Sequence, residues 1–177
     1  METIKFNVYN IKELQEVASP QVYNKVLERA KTEEIEFIKK LEYEDFNDFL
    51  NSKEFKYILD MFNITYSQYK HYSDYLFRIE GINYSEDVKG ARAFGKLHLF
   101  IKELEKINNV CCWAEELFIK ALKNSINNSL KYGFFETVED ALNNIIYATE
   151  DIEIGDNEII DILMANDIHY TIDGKQW

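Results

Sequence analysis

The chain has 177 residues, of which 46% are apolar and 15% aromatic, and its formal net charge is −12. At this length the apolar content is enough to bury a core, which excludes an intrinsically disordered protein. No stretch approaches the roughly 20 consecutive apolar residues that span a bilayer, and the N-terminus lacks the basic and apolar regions of a signal peptide. We therefore expect a cytoplasmic protein without membrane contact.

The negative charge is concentrated near the C-terminus. Residues 136–177 contain eleven acidic residues and one basic residue, so this segment carries −10, whereas residues 1–135 carry only −2. Binding to a phosphate backbone requires a basic face, so direct binding to nucleic acid is not expected. An acidic segment instead suits a basic protein partner, such as the nucleic-acid channel of another protein.

Hydrophobic periodicity predicts an α+β fold that is predominantly helical. Alternating apolar residues predict a small sheet of about three strands, near residues 3–9, 74–80 and 167–172. Apolar residues at helical spacing fill the intervals. We predict a single domain over residues 1–177, with the acidic segment 136–177 as a lobe within it.

Capping residues predict where the first helices begin. Asn10 is a predicted N-cap for a short helix at "IKELQEVA", and Ser19 followed by Pro20 begins a long one. Ser52 begins the next helix, at "KEFKYILDMF". Farther along, the segment "NSINNS" has low helix propensity and predicts an interruption near residues 124–129.

The acidic segment carries two further helix signals and the last strand. Thr137 with Asp140 resembles a capping box before "ALNNIIYA", and Asp156 is the predicted cap of "NEIIDILMAN". The final "DIHYTID" alternates, and the Asp173-Gly174 pair predicts a turn that ends the strand. The ending is therefore expected to be ordered.

No pattern in the chain predicts a catalytic residue, a metal site or a cofactor. Three histidines lie far apart in sequence and in no metal-binding or catalytic motif: His71, His98 and His169. The adjacent Cys111 and Cys112 lack the spacing of a metal-binding pair, and we expect buried, reduced thiols. The loop "KGARAFGK" has the wrong glycine spacing for a phosphate-binding loop. Its basic residues are candidate anion-binding residues, with a solvated turn as the alternative: Lys89, Arg92 and Lys96.

Four tyrosines recur every three residues in "TYSQYKHYSDY": Tyr66, Tyr69, Tyr72 and Tyr75. On a helical turn they would form one ridge, and in an extended chain they would alternate between two faces. Tyrosine is enriched at protein interfaces, so Tyr66, Tyr69 and Tyr72 are candidate partner-binding residues. Packing against the core is the alternative.

Three stretches occur in the order and spacing of a known group of proteins: "IKFNVYNIKELQEVASPQVYNKVLERA", "FRIEGINYSEDVKGARAF" and "ILMANDIHYTIDGKQW". They resemble the first strand with its Y-x-F-x-E-L helix opening, the Gly/Ser loop, and the D-G-K-aromatic strand end of small phage and prophage accessory proteins. That group is often labelled antitoxin-like. In the loop only Ser85, Gly90 and Ala91 match, and residues 96–150 match nothing. The resemblance implies a phage-encoded accessory protein without established catalytic residues, whose terminal aromatic residue packs back on the sheet.

Three functions are compatible with these features. The first is a phage or prophage counter-defence protein, similar to anti-CRISPR proteins, that inhibits a nucleic-acid-targeting complex of the bacterial host by stoichiometric binding and DNA mimicry. The second is an antitoxin that binds a cognate toxin. The third is an enzyme that processes a small anion or nucleotide at the basic loop. For the first function the candidate partner-binding acids are Glu150, Asp151, Glu153, Asp156 and Glu158.

Overall fold

The computed structural model describes residues 7–71, 74–83, 87–107 and 113–177, with the backbone alone at positions 71, 74, 75 and 150. Cys111, Cys112, Tyr72 and Ser85 lie outside the described residues. In chain order the elements are β1 (Val8–Asn10), α1 (Ile11–Val17), α2 (Pro20–Asn51), α3 (Lys53–Met61), β2 (Tyr66–His71), β3 (Asp74–Ile79), α4 (Ala91–Leu104), α5 (Trp113–Asn124), a 3₁₀ helix (Ile126–Leu130), α6 (Phe134–Glu150), α7 (Asp156–Ala165) and β4 (His169–Thr171).

The predicted α+β class, with helices dominating, is confirmed. The strands expected near residues 74–80 and 167–172 are β3 and β4, and β1 overlaps the described part of the strand expected near residues 3–9. The structure adds β2, and the four described strands form two antiparallel sheets, β1 with β4 and β2 with β3. The sequence pattern did not predict β2, because tyrosines at every third position do not follow the alternation of apolar and polar residues by which a strand is recognised.

The chain divides into two compact units. The terminal unit contains the residues up to Lys39 together with Ile152–Trp177, and the central unit contains Lys40–Asp151. The predicted acidic lobe therefore does not follow this division, because residues 136–151 belong to the central unit. The single domain over residues 1–177 stays a prediction.

In the terminal unit, α1, the first part of α2 and α7 surround a small apolar core. Its buried residues are Ile11, Leu14, Val26, Leu27, Ala30, Ile154, Ile159, Leu163 and Tyr170. The predicted cap Asn10 is confirmed: its side-chain oxygen accepts hydrogen bonds from the N–H groups of Lys12 and Glu13, both at 3.0 Å. The Glu13 side chain accepts the N–H of Asn10 in return, which completes a capping box. α2 begins at Pro20, as predicted.

The C-terminal residues form a tight turn that returns along β4. The N–H of Gly174 donates to the carbonyl of Thr171, and the N–H of Thr171 donates to the carbonyl of Lys175, both at 2.8 Å. The N–H of Trp177 then donates to the carbonyl of His169 at 2.9 Å. The ending is thus ordered and pairs with β4 through its backbone. Trp177 is 70% exposed, so most of its side chain faces solvent, and the expected packing of the terminal ring on the sheet stays a prediction.

The core of the central unit is rich in phenylalanine. Rings from several elements contact one another in pairs: Phe46, Phe49, Phe55, Phe62, Phe77, Phe100, Phe118 and Phe134. Many of these pairs are edge to face, as for Phe100 and Phe134, whose ring centroids are 5.8 Å apart at 90°. This geometry contributes about 0.5–1.5 kcal/mol per pair beyond burial. The contacts join α2, α3, α4, α5, α6 and β3.

The first turn of α6 is capped by a residue that is distant in sequence. Oδ2 of Asp87 accepts the N–H groups of Phe135 at 2.9 Å and Glu136 at 3.4 Å, across 48 and 49 residues. The predicted capping box at Thr137 is therefore wrong. Thr137 lies inside the helix, and its hydroxyl donates to the carbonyl of Gly133 at 2.6 Å.

Farther along, α6 closes the outer edge of β3 with polar side chains. The amide of Asn143 accepts the N–H of Phe77 at 2.7 Å and donates to the carbonyl of Phe77 at 3.1 Å. One turn earlier, Glu139 accepts the N–H of Ile79 at 2.6 Å. Because Phe77 and Ile79 are buried residues, these bonds satisfy backbone groups that have little access to water.

Three further helix predictions have mixed outcomes. Ser52 caps α3 as predicted, accepting the N–H of Phe55 at 3.2 Å. The predicted interruption is confirmed, since α5 ends at Asn124 and a 3₁₀ helix follows. Asp156 is not a cap: it is the first residue of α7, and Gly155 precedes it as the N-cap without a side-chain bond. The predicted cap lies one residue after the observed one, because an acidic residue is favoured inside the first turn of a helix as well as at its N-cap.

We predict that Gly133→Ala destabilises the protein, whereas Gly95→Ala stabilises it. Gly133 has a φ of +114°, and a Cβ there would overlap the carboxylate of Asp87. We expect the free energy of unfolding to fall by about 2 kcal/mol or more. Gly95 lies inside α4 with open space around it, so alanine should add about 0.5–1 kcal/mol. Urea denaturation measures both changes, and an unaltered Gly133→Ala protein would contradict this account.

We also predict that Asn143→Ala weakens the edge of β3. The change leaves the N–H and carbonyl of buried Phe77 without partners, which should cost about 1–3 kcal/mol. Asn144→Ala is the matched control, because its side chain is exposed on the same helix, and it should change stability by less than about 0.5 kcal/mol. Hydrogen exchange of the Phe77 amide should accelerate in the first variant only. Equal exchange in both would show that the amide contact is dispensable.

Candidate functional site

The terminal unit carries an acidic surface, which we define as the carboxylates of residues 152–177. All six of them are exposed: Glu153, Asp156, Glu158, Asp161, Asp167 and Asp173. The same residues include one lysine and no arginine. On α7, buried Ile159 and Leu163 anchor the helix to the core, so that Glu158 and Asp161 face solvent.

Ion pairs neutralise only part of this charge. Lys31 of α2 pairs with Asp156, and the hydrogen bond between them raises the pKa of Lys31. Nζ of Lys175 lies 3.1 Å from Asp173, whose pKa is lowered by hydrogen bonds from the Thr171 hydroxyl and from Lys175. Among the described residues, no lysine or arginine lies within ion-pair distance of the remaining four carboxylates. The electrostatic field of these four carboxylates therefore extends into the solvent.

The acidic partner-binding residues predicted from the sequence belong to different units. Glu150 ends α6 and Asp151 is its C-cap, so both belong to the central unit. Glu153, Asp156 and Glu158 belong to the terminal unit. The acidic surface thus contains three of the five predicted acids.

Asp161 was not among the predicted residues, although the sequence contains its signal. Glu158 and Asp161 are three positions apart, which places them on the same side of a helix. The prediction favoured acids that are close together in the sequence, such as Glu150, Asp151 and Glu153. Helical spacing, however, decides which acids lie on the same face of a helix.

The tyrosines do not form a ridge among the described residues. Tyr66 and Tyr69 lie three positions apart on β2, so their side chains point to opposite faces of the sheet. The Tyr66 ring packs edge to face on Phe77 at 5.4 Å, and burial raises the pKa of its hydroxyl. Tyr69 is 42% exposed. Tyr66 thus serves the core, and Tyr69 alone of the two presents a large surface to solvent.

The three residues of the predicted anion site have unlike environments. Lys89 and Arg92 are exposed in the loop before α4 and in its first turn. Nζ of Lys96 lies 4.1 Å from the ring centroid of Phe134 and 4.2 Å from that of Phe135. Burial lowers the pKa of Lys96, and this effect is opposed by the negative charge of Asp87. Lys96 therefore takes part in packing at the start of α6.

The described residues contain no group of three His, Cys, Asp or Glu side chains placed to hold a metal ion. His98 is exposed on α4, and Nδ1 of His169 lies 2.9 Å from the carbonyl oxygen of Asp167. Nor does any helix in the described ranges have the length and apolar character needed to cross a membrane.

Comparisons with known proteins return no match to a family model, to a curated protein or to a solved structure. The geometry of the surfaces is therefore the basis for a functional conclusion. Its main feature is a set of six exposed carboxylates on a small packed unit, and among the described residues four of them have no lysine or arginine at ion-pair distance.

We predict that Asp161 on α7 does not stabilise the fold. Like charges three positions apart on a helix repel by a few tenths of a kcal/mol, so Asp161→Lys should raise the free energy of unfolding by up to about 0.5 kcal/mol at low salt. The gain should shrink at high salt and in a Glu158→Gln background, both measurable by urea denaturation. A loss of more than about 1 kcal/mol would instead assign Asp161 a structural role.

Proposed function

We propose that this protein acts by stoichiometric binding, with its acidic surface placed against a basic, nucleic-acid-binding face of another protein. The observation that supports this proposal is the exposure of all six carboxylates in residues 152–177, four of which have no lysine or arginine partner among the described residues. Exposed charged groups of this kind add little to the stability of the fold, but they create a strong local electrostatic potential.

The spacing of the acids on α7 is compatible with nucleic-acid mimicry. A helix rises about 1.5 Å per residue, so the positions of Glu158 and Asp161 are separated by about 4.5 Å along its axis. Phosphates of one DNA strand also follow one another closely along the duplex axis. Lysine and arginine side chains that donate hydrogen bonds to closely spaced phosphates can donate them to carboxylates instead. Occupation of that basic face would exclude the nucleic acid.

The resemblance to phage and prophage accessory proteins suggests the biological setting. In that setting the partner is a nucleic-acid-targeting complex of the bacterial host, such as a CRISPR effector, and the protein is a counter-defence inhibitor. An antitoxin would use the same kind of contact and differ in its partner, a toxin encoded beside it. The identity of the partner therefore distinguishes the two functions.

The proposal is tested by capture of partners from host lysate with the tagged protein, followed by washes of increasing salt. We expect a nucleic-acid-binding protein or ribonucleoprotein that is released as salt rises, because screening weakens contacts between exposed charges. The double variant Glu158→Lys, Asp161→Lys should bind it on the order of tenfold more weakly. The matched control is Asp48→Lys, Asp60→Lys, which makes the same charge change at exposed sites of the central unit.

Equal binding by the wild-type and α7 variants would overturn the role of the acidic surface. Equal weakening by the α7 and control variants would show that net charge matters and that the position of the acids does not. Capture of one small neighbouring gene product would assign the protein as an antitoxin. Activity at strongly substoichiometric amounts would favour an enzyme.

A further inference from the structure

The central unit carries a second surface of opposite character, formed by two loops that lie side by side. We define this basic surface by residues 88–92 and 130–132. The N–H of Gly90 donates to the carbonyl of Leu130 at 3.1 Å, and the N–H of Phe134 donates to the carbonyl of Val88 at 3.2 Å. These two bonds hold the loop before α4 against the segment between the 3₁₀ helix and α6.

The charge of this region is opposite to that of the whole chain. Residues 87–96 and 126–135 contain four basic residues and one acidic residue, in a chain whose net charge is −12. The acidic one, Asp87, is buried and caps α6, and Lys96 lies over two aromatic rings. Three cations are left exposed: Lys89, Arg92 and Lys131. Within the described ranges, no Asp or Glu lies at ion-pair distance from any of them.

Apolar side chains are exposed among these cations. Leu130 is 46% exposed, and Val88 and Tyr132 also present large apolar surfaces to solvent. Nζ of Lys131 lies 3.0 Å from the hydroxyl of Tyr132 and 4.7 Å from its ring centroid. This contact places the tyrosine ring beside a positive charge, and tyrosine is enriched among the residues that contribute most to binding at protein interfaces.

We propose that the basic surface is a docking site for an acidic segment of a partner protein in which carboxylates alternate with large apolar side chains. The three cations would pair with the carboxylates, and Val88, Leu130 and Tyr132 would cover the apolar residues. A nucleic acid fits less well, because a polyphosphate long enough to bind tightly would extend beyond three cations onto a chain of strongly negative charge. This inference concerns a different surface from the acidic one and does not depend on it.

The test measures fluorescence anisotropy of a labelled eight-residue peptide in which Asp and Glu alternate with Leu and Phe. We expect saturable binding to the full chain that weakens with salt. The triple variant Lys89→Glu, Arg92→Glu, Lys131→Glu should bind at least tenfold more weakly. The control Lys53→Glu, Lys102→Glu, Lys120→Glu makes the same charge change at exposed lysines of the same unit and should bind like the wild type. Circular dichroism confirms that each variant is folded.

Two more probes separate charge from apolar contact. A peptide with Asn and Gln in place of Asp and Glu, and one with Ser in place of Leu and Phe, should each bind at least tenfold more weakly. Leu130→Ser should weaken the original peptide several-fold while leaving the cations intact. Three results would each overturn the proposal. They are tighter binding of a ten-nucleotide oligo-dT than of the peptide, an equal loss of peptide binding in the control variant, and no binding of the peptide at low salt. A concentration-dependent increase in mass that the triple variant abolishes would also overturn it, by making a second copy of the chain the occupant.

Discussion

The central unit depends on the polar side chains with which α6 closes the outer edge of β3. A two-stranded hairpin is only marginally stable in water, and an open edge exposes unpaired backbone groups. Asn143 and Glu139 supply the missing hydrogen bonds to Phe77 and Ile79, so the hairpin and the helix are held in register while their apolar faces pack. At its other end the same helix is held by Asp87, which ties the loop before α4 to this arrangement.

Burial divides the charged side chains into two groups with different consequences. Asp87 and Lys96 lie in the packing at the start of α6, where each has lost water and gained specific neighbours. The carboxylates of the acidic surface and the cations of the basic surface remain in water, where ion pairs add little to stability. Their charge is therefore available to partners. A strongly acidic chain can in this way carry one surface of each sign, on two different units.

The signals that predicted structure correctly are those that act over a few residues. Asn10, Ser19 with Pro20, and Ser52 mark helix starts because an N-cap and the N–H groups that it accepts are at most three residues apart. The prediction at Thr137 was wrong because the sequence pattern is ambiguous. A threonine near an apolar run can cap a helix, or it can lie inside the helix and donate its hydroxyl to the carbonyl one turn back. In the candidate site, the exposure of Glu153 and Glu158 was predictable from charge, and the face that Asp161 shares with Glu158 was predictable from their three-residue spacing within the predicted helix "NEIIDILMAN".

The sequence by itself determined the α+β class, the starts of the first three helices, the break after α5 and the ordered C-terminal turn, since each depends on residues close together in the chain. Only the tertiary structure decided that β1 pairs with β4, that Asp87 caps α6 and that Asn143 closes the edge of β3. It also decided which lysines are packed and which are exposed. These contacts join residues separated by tens of positions or more, and no local pattern specifies the partner of a long-range hydrogen bond. The choice among possible partners is made by the packing of the whole core.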